Sequence, residues 1–366
     1  ARATLDAATI EMSALSENLE PSLTLLADVL LRPRFDDKEI ERVRGTWIAT
    51  LRLEKANPAA LSRRLVRPLL FGDQHPYAVA PSGNGTESAI AALKRDQLTA
   101  WAKAKLRPDL ATVIVVGDTT LAEIQPKLEK ALAAWKAPGA ALAAPAIPNV
   151  KLPAKPRIFL VDQPGGIQAN IVVSQAVPPS SDPKALDFEI ANSVFGGEFS
   201  SRLNMNLREN KHWSYGAFSG VPDAIGQRTW GAAAGVQIDK TVDSIKEIHK
   251  EITELVRSIR PATAAEVSKI QSLEVRALPG AYETARAVAN TIFEIVMLGR
   301  PDDWPAQRVR RIQGMTPAQV NTAAKTLRAD SLTWVVVGDL KKIEAGIRAL
   351  KLGEVKVLDA DGKVLR

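Results

Sequence analysis

The sequence predicts an α+β protein made of two related modules. One stretch of the chain is repeated, and in the second half predicted strands are followed by predicted helices, the order expected of a sheet covered by helices. A proline-rich stretch separates the two copies. We therefore expect duplicated α/β sandwich modules, each with a mostly antiparallel sheet and with helices on one face.

The repeated stretch consists of a helix end, a short apolar strand and a Gly-Asp turn. KLRPDLATVIVVGD at residues 105–118 matches TLRADSLTWVVVGD at residues 326–339, with a constant offset of 221 residues (339 − 118). Helical sequences that begin at Thr86 and at Pro305 lead into the two copies. The V-V-G-D match alone would be weak, because many strand-to-helix turns share it. The longer match indicates a duplicated module.

A run of prolines marks the boundary between the modules. Residues 137–156 contain prolines at positions 138, 145, 148, 153 and 156. Prolines at this density are incompatible with a helix or a central strand, so we expect an extended linker. The predicted organisation is a first module at 1–136, a linker at 137–156 and a second module at 157–366.

Apolar runs and alternation predict the main elements of the second module. Strands are expected at RIFLVD (157–162), QANIVVSQA (168–176), WSYGAFSG (213–220) and RTWGAAAGVQI (228–238), a helix at DPKALDFEIANSVF (182–195), and long helices from Thr241 and from Thr263. The repeat adds one strand to each module, at 112–116 and at 334–337.

The first module is shorter than the second. In the second copy 182 residues separate Arg157 from Asp339, whereas 117 residues precede Asp118 in the first copy. We therefore expect the first module to be truncated at its N-terminus, with about 65 of its residues outside this sequence.

Composition excludes several classes of protein. Apolar residues at 46% and charged residues at 24% are near the averages of globular proteins. The longest apolar runs are far shorter than the roughly 20 residues of a membrane span. The net charge of +7 arises from basic residues mixed with acidic ones, and aromatic residues make up 5%, which disfavours nucleic-acid binding. The sequence has no cysteine, which excludes disulfides and Cys-ligated zinc.

The segment from Phe195 to Tyr215 contains residue types that packing in a buried core does not require. FGGEFSSRLNMNLRENKHWSY combines a glycine pair, a basic helix and a tyrosine seven residues after Arg208. Gly196 and Gly197 would allow a ligand backbone to approach closely. Arg208 offers a permanent charge with forked donors, and Tyr215 offers a neutral hydroxyl. Donors of this kind suit a site that stabilises an oxygen atom as it becomes negative.

A purely structural interpretation of the same segment is also available. Arg208 would pair with Glu209 or Glu198, Tyr215 would pack in its strand, and the glycines would end a helix. Each of these readings is reasonable for one residue. The order and spacing of the whole segment favour the functional interpretation.

This segment resembles the C-terminal half of the pitrilysin and insulinase class of zinc metallopeptidases, whose zinc motif is H-x-x-E-H. The matching residues of the glycine pair, S-R-L, L-R-E and aromatic-x-Y patterns are Gly196, Gly197, Ser201, Arg202, Leu203, Leu207, Arg208, Glu209 and Tyr215. The resemblance implies that Arg208 and Tyr215 are the catalytic pair, which holds the substrate peptide beside a zinc ion bound elsewhere. It also implies substrate-binding roles for Gly196, Gly197, Ser201 and Arg202, and His212 is a neighbouring candidate for the same cavity.

No zinc motif is visible in the chain. Catalytic zinc needs two imidazoles one helical turn apart, a carboxylate ligand and a general-base glutamate. The histidines are His75, His212 and His249, and none lies within a turn of another. His75 is expected to be a turn residue before proline, and His249 is expected to pack on the apolar edge of a helix. The helix at 184–194 is the second copy's counterpart of the zinc-motif helix, and its first-copy equivalent maps outside the chain.

The distal zinc ligand of the family offers a second test. It is a glutamate on a long helix of the first module, and the matching helix here is EIERVRGTWIATLRLEKANP at 39–58. This alignment puts Thr50 at the ligand position and Val43 where a second carboxylate is expected. Glu54 lies one further turn, about 5.4 Å, along the helix. The resemblance therefore implies that this chain has lost the metal site and binds no cofactor.

Together these features predict the non-catalytic subunit of a heterodimeric zinc metallopeptidase, similar to a bacterial form of the mitochondrial processing peptidase. The expected partners are a homologous zinc-bearing catalytic subunit and an unfolded peptide. One alternative is an active zinc metalloprotease whose H-x-x-E-H lies in the missing segment. Another is a structural scaffold similar to the core proteins of respiratory complexes. The compartment stays open, with the periplasm favoured over the cytoplasm.

Overall fold

The fold consists of a large mixed sheet with its helices and a second, mainly helical group. It was obtained as a computed structural model that describes residues 1–366. The strands are β1 Arg2–Ala3, β2 Ala8–Thr9, β3 Arg157–Asp162, β4 Gln168–Val177, β5 Ser214–Gly220, β6 Arg228–Gln237, β7 Thr333–Gly338 and β8 Glu354–Leu358. The helices are α1 Leu19–Leu31, α2 Asp37–Ala56, α3 Pro58–Phe71, α4 Glu87–Ala92, α5 Arg95–Lys105, α6 Leu121–Ala131, α7 Ala185–Asn192, α8 Arg202–Asn204, α9 Thr241–Val256, α10 Ala264–Ala277, α11 Ala285–Leu298, α12 Trp304–Gln313, α13 Pro317–Ala324 and α14 Leu340–Ala349.

Internal contacts divide the chain into two units. Unit 1 comprises Ala1–Leu51, Asn84–Ala146 and Pro279–Gly299, and unit 2 comprises Arg52–Gly83, Ile147–Leu278 and Arg300–Arg366. One of the divisions, between Ala146 and Ile147, falls within residues 137–156, which form no helix or strand. Both units are discontinuous in sequence. None of the helices combines the length and the apolar character that crossing a bilayer requires.

Unit 2 is organised around a six-stranded sheet with the strand order β5-β6-β4-β7-β3-β8. Three of its five pairings are antiparallel, and β3 runs parallel to both β7 and β8. The sheet confirms the predicted α+β class and the strands predicted at 157–162, 168–176, 213–220, 228–238 and 334–337. The order makes β5 one edge of the sheet and places β7 inside it.

The side chains of β7 are buried on both faces of the sheet. Trp334 and Val336 belong to a large apolar cluster shared with α7, α9, α13 and α14. Val335 and Val337 belong to a second cluster on the opposite side, which Leu61 and other residues of α3 cover. Because each fully buried valine contributes about 1.5–3 kcal/mol relative to an exposed one, this strand needs cover on both faces. The helix on the second face, α3, comes from a part of the chain assigned by the sequence to the first module.

Unit 1 contains helices but no apolar cluster comparable with those of unit 2. Its elements are the small hairpin β1–β2, most of α2, and helices α1, α4, α5, α6 and α11. The repeated turn is present, because the 3₁₀ turns Pro108–Leu110 and Ala329–Ser331 lie 221 residues apart. The helix that follows the turn is also present in both copies, as α6 and α14.

The strand predicted at residues 112–116 does not form in this chain. These residues pair with no strand of either sheet. Val113 and Val115 are 52% and 44% exposed, whereas their counterparts Trp334 and Val336 are 1% and 0% exposed. The residue types still suit a strand, but an extended segment becomes one only when a neighbour supplies backbone hydrogen bonds. In the second copy β3 and β4 supply them.

This contrast predicts unequal effects of two equivalent substitutions. Val336→Ala should lower the free energy of unfolding of unit 2 by about 2 kcal/mol, because it creates a cavity in a fully buried core. Val115→Ala should change stability by less than about 0.5 kcal/mol. Urea unfolding of the two variants measures the difference. In hydrogen exchange the amides of 113–116 should exchange quickly and those of 334–337 slowly; slow exchange at 113–116 would contradict the unpaired conformation.

Candidate functional site

The glycine pair lies in a widened helical turn that packs against β5. Helix α7 continues into a π-helical turn, Ser193–Gly197, a geometry that is frequent at functional sites. A Cβ atom on Gly196 would lie 2.5 Å from Ser219 Oγ and 3.0 Å from the Ser219 nitrogen, so this close approach requires glycine. Gly197 is similarly close to Asn192, 3.1 Å from its side-chain nitrogen. Gly196 therefore allows the helix to contact the edge strand.

Arg202 anchors the segment to α10. Arg202 donates to both carboxylate oxygens of Glu266, with distances of 2.6 and 2.7 Å, and to the Pro261 carbonyl oxygen at 2.8 Å. The side chain of Arg202 is buried, and the buried Ser201 hydroxyl has no hydrogen-bond partner. These contacts give Arg202 a structural task within unit 2. Its substrate-binding role, like that of Ser201 and the glycine pair, stays a prediction.

The ion pair with Arg202 perturbs the titration of Glu266. Burial by itself would raise the pKa of Glu266, but hydrogen bonds from Arg202 and from the Thr263 backbone lower that pKa to about 2, below its ordinary value of 4.5. A carboxylate whose pKa is lower in the folded state contributes stability above the unfolded pKa. This contribution is lost as the pH falls from about 4.5 towards 2.

Arg208 lies on a second π-helical turn, Met205–Asn210. Its Cζ atom lies 4.5 Å from the centroid of the Phe199 ring, within cation–π range, and its Nε lies 3.2 Å from Glu209 Oε1. The pairing with Glu209 is one that the structural interpretation predicted. The Arg208 side chain is nevertheless 38% exposed, and no hydrogen bond within the chain engages its two terminal nitrogens.

Tyr215 projects from an irregular part of β5. The pairing of β5 with β6 shifts register between Ser214 and Ala217, and Ser214 Oγ lies 2.8 Å from the Gly216 and Gly235 carbonyl oxygens. Such a bulge re-aims the side chains beside it. Tyr215 is 90% exposed, so it does not pack within its strand.

His212 lies in the turn between the π-helical turn and β5. Its φ angle is 57°, in the left-handed region that few non-glycine residues occupy. Its backbone N–H donates to the Arg208 carbonyl oxygen at 3.2 Å, and its Nδ1 lies 3.1 Å from the same oxygen. These two contacts hold the turn against the helix that carries Arg208.

A surface cavity of about 480 Å³ brings part of the predicted site together. It is lined by Ile167, Gln168, Arg208, Glu209, His212, Trp213, Ser214, Tyr215 and Gln237. Three predicted residues, Arg208, His212 and Tyr215, share this cavity. The glycine pair, Ser201 and Arg202 do not line it.

Sequence reasoning missed the part of the cavity that comes from other strands. Ile167 and Gln168 lie where the chain enters β4, and Gln237 ends β6. Ile167 is 83% exposed, and an apolar residue directly after two glycines was the one signal that could have indicated it. With the amides of Gln168 and Gln237, the cavity offers donors and acceptors suited to a polypeptide backbone.

The positions expected to hold zinc do not fit the metal. Thr50 donates its hydroxyl to the Thr46 carbonyl oxygen at 2.9 Å, within its own helix. Glu54 accepts hydrogen bonds from Arg64 and from Ser82, each at 3.1 Å. A hydroxyl used inside a helix and a carboxylate neutralised by arginine make poor zinc ligands. In residues 1–366 no three His, Asp or Glu side chains are grouped as a metal site.

The other two histidines are packing residues. His75 stacks on Phe71 at 4.8 Å, its Nδ1 accepts the Tyr77 N–H at 2.9 Å, and its Nε2 donates to the Pro148 carbonyl oxygen at 2.7 Å. His249 lies on α9, where burial and then the charge of Arg257 lower its pKa. Neither of these histidines is placed as a metal ligand.

The Arg202–Glu266 pair predicts a pH-dependent loss of stability. Glu266→Gln should lower the free energy of unfolding by about 3 kcal/mol at pH 7, because it leaves a buried guanidinium without a counter-charge. The difference from the parent chain should shrink between pH 4.5 and about 2, where the parent carboxylate also becomes neutral. Urea unfolding at several pH values measures it. Glu39→Gln is the matched control, since its pair with Arg42 is exposed and is worth at most about 1 kcal/mol.

Comparison with known proteins shows which family and which fold the chain is similar to. Residues 92–273 match the family described as Peptidase M16 inactive domain. An uncharacterized zinc protease of Streptomyces coelicolor is 21% identical over 336 residues, which cover 90% of this chain and 72% of the relative. The non-peptidase homolog YmxG of Helicobacter pylori is 22% identical over 347 residues, which cover 91% of this chain and 75% of the relative.

A solved structure shares the fold. The crystal structure of a peptidase M16 inactive domain from Pseudomonas fluorescens matches with a TM-score of 0.80 and 23% identity, over 88% of this chain and 76% of that chain. These matches confirm the resemblance to the pitrilysin and insulinase class. Residues 92–273 carry the inactive domain of the M16 peptidase family.

Proposed function

We propose that this chain is the non-catalytic subunit of a two-chain M16 metallopeptidase and that it positions an unfolded peptide with Arg208 and Tyr215. The observation that carries the proposal is the shared cavity of Arg208, His212 and Tyr215. A second observation supports it, because Thr50 and Glu54 are poorly suited to bind zinc. A chain with binding groups and without metal ligands suits the supporting half of a peptidase.

The position of the cavity suits an extended peptide. β5 contributes Ser214 and Tyr215 to the cavity and is the outermost strand on its side of the sheet. One edge of such a strand has backbone groups without a sheet partner, and peptides bind by adding a strand there. Backbone pairing gives affinity without selecting a sequence, as an unfolded substrate requires. The side chains around Arg208 would then hold the peptide in register.

The chemistry of the two side chains is complementary. The guanidinium of Arg208 is a forked donor whose two terminal nitrogens make no hydrogen bond within the chain. The hydroxyl of Tyr215 is a neutral donor on a side chain that is nearly fully exposed. Hydrogen bonds to a carbonyl oxygen become stronger as that oxygen becomes negative. They therefore stabilise the transition state of peptide hydrolysis more than the bound substrate, which lowers the activation barrier. The metal and the general base would belong to a homologous partner chain.

Substitution of the pair tests the proposal directly. In the assembled two-chain enzyme, Tyr215→Phe and Arg208→Ala should each lower kcat for peptide hydrolysis by about 10²–10³, the usual cost of one oxyanion donor. Arg208→Lys should not restore the rate, because lysine lacks the planar fork. The control is Tyr282→Phe, which removes an exposed hydroxyl in unit 1. Parent-like kcat for both Tyr215→Phe and Arg208→Ala, with unchanged thermal melts, would favour a structural scaffold.

The metal content of the full-length protein separates the proposal from an active metalloprotease whose H-x-x-E-H lies outside residues 1–366. The full-length protein should hold no stoichiometric zinc after dialysis, because Thr50 and Glu54 do not provide the distal ligand. Elemental analysis measures the zinc-to-protein ratio, and added zinc should leave the melting temperature unchanged. About one tightly bound zinc ion per chain would contradict the assignment.

A further inference from the structure

A buried amide connects the three pieces of chain that surround Arg208 and Tyr215. Asn204 is fully buried at the end of α8, directly before the π-helical turn that carries Arg208. Its Nδ2 donates to the Phe199 carbonyl oxygen at 2.6 Å, and its Oδ1 accepts the Ala217 N–H at 3.0 Å. One side chain thus joins the loop after the glycine pair to the strand of Tyr215.

The loop end of this bridge contacts Arg208 itself. Phe199 is 55% exposed, and its ring lies 4.5 Å from the guanidinium carbon of Arg208. Exposure of an aromatic ring to water is unfavourable, and Phe199 does not contribute to the core. Its contact with a cation indicates that the ring serves to hold Arg208. The ring restricts the long arginine side chain, which otherwise samples many rotamers.

We propose that Asn204 and Phe199 are positioning residues that fix Arg208 and Tyr215 relative to each other. Asn204 holds the backbone of the Phe199 loop against β5, and the Phe199 ring then holds the guanidinium. The inference rests on the proposed function in one respect, that Arg208 and Tyr215 bind the peptide. The geometric part, that Phe199 and Asn204 determine the setting of Arg208, stands on its own contacts.

Asparagine is specific for this bridge. Its amide donates on one side and accepts on the other, whereas an ionised aspartate could only accept. Asn204→Asp keeps the acceptor for the Ala217 N–H and removes the donor to the Phe199 carbonyl oxygen. It should therefore release the Phe199 loop and leave the β5 contact in place.

Two measurements on the purified chain test the proposal. The first is the NMR signal of the Arg208 Nε–Hε group, assigned with Arg208→Lys, because the field of a nearby ring shifts it. The second is the Kd for fluorescein-labelled β-casein, an unfolded protein, by anisotropy. The variants are Phe199→Leu, Phe199→Tyr and Asn204→Asp, each checked by thermal melting. Trp101→Leu is the control, since this unit 1 aromatic residue is 53% exposed, close to the exposure of Phe199.

The expected pattern distinguishes positioning from general stability. Phe199→Leu and Asn204→Asp should move the Arg208 signal and weaken casein binding about two- to five-fold, the effect of one exposed cation–π contact. Phe199→Tyr should retain both properties, and Trp101→Leu should change neither. In an Arg208→Ala background Phe199→Leu should have no further effect on Kd, because a residue that acts through Arg208 cannot act without it.

Each contrary result has a separate meaning. An Arg208 signal that Phe199→Leu and Asn204→Asp leave unchanged would overturn the positioning inference. An additive loss of binding in the Phe199→Leu, Arg208→Ala double variant would also overturn it. A signal that moves while Kd stays constant would support positioning and count against the proposed peptide-binding function.

Discussion

The structure of unit 2 depends on the burial of β7 from every side. Its apolar side chains are covered on both faces of the sheet, and β3 and β4 bond to its two edges. A strand in that position requires neighbours on both edges and helices above and below. From β7 the sheet extends outward through β4 and β6 to β5, which forms its edge. The candidate site lies at the β5 edge of the sheet, away from the buried central strand.

Local irregularity concentrates where the sheet ends. The two π-helical turns, the left-handed His212 and the bulge of β5 all lie within residues 193–217. Regular helices and strands maximise backbone hydrogen bonding, so departures from them persist only where packing fixes them. Here Gly196 permits the contact with β5, Arg202 ties the segment to α10, and Asn204 bridges loop and strand. These well-packed residues support a pair of side chains that remain exposed to solvent.

The proposed function depends on a contrast between two groups of residues. Arg208 and Tyr215 project into the same cavity, but the helix that resembles a ligand-bearing helix has Thr50 at the expected position. The carboxylate nearest to that position, Glu54, is paired with Arg64 and is therefore used for folding. Groups that bind by hydrogen bonds can act from a supporting chain, whereas metal ligands must converge on one ion. Under the proposed function, a supporting chain would need only the groups that bind by hydrogen bonds.

The sequence by itself determined the second module's strands, the repeated turn and the Arg208–Tyr215 segment, because apolar patterns and motif spacing are local properties. It could also have indicated burial of β7 on both faces, since its consecutive apolar residues show no polar alternation. Only the tertiary structure decided that α3 covers the second face, that Gln168 and Gln237 join the cavity, and that residues 112–116 stay unpaired. Val115 and Val336 occupy equivalent positions in nearly the same local sequence, yet one is exposed and the other buried. The physical reason is that a strand exists through its hydrogen-bonded neighbours, which the local sequence does not contain.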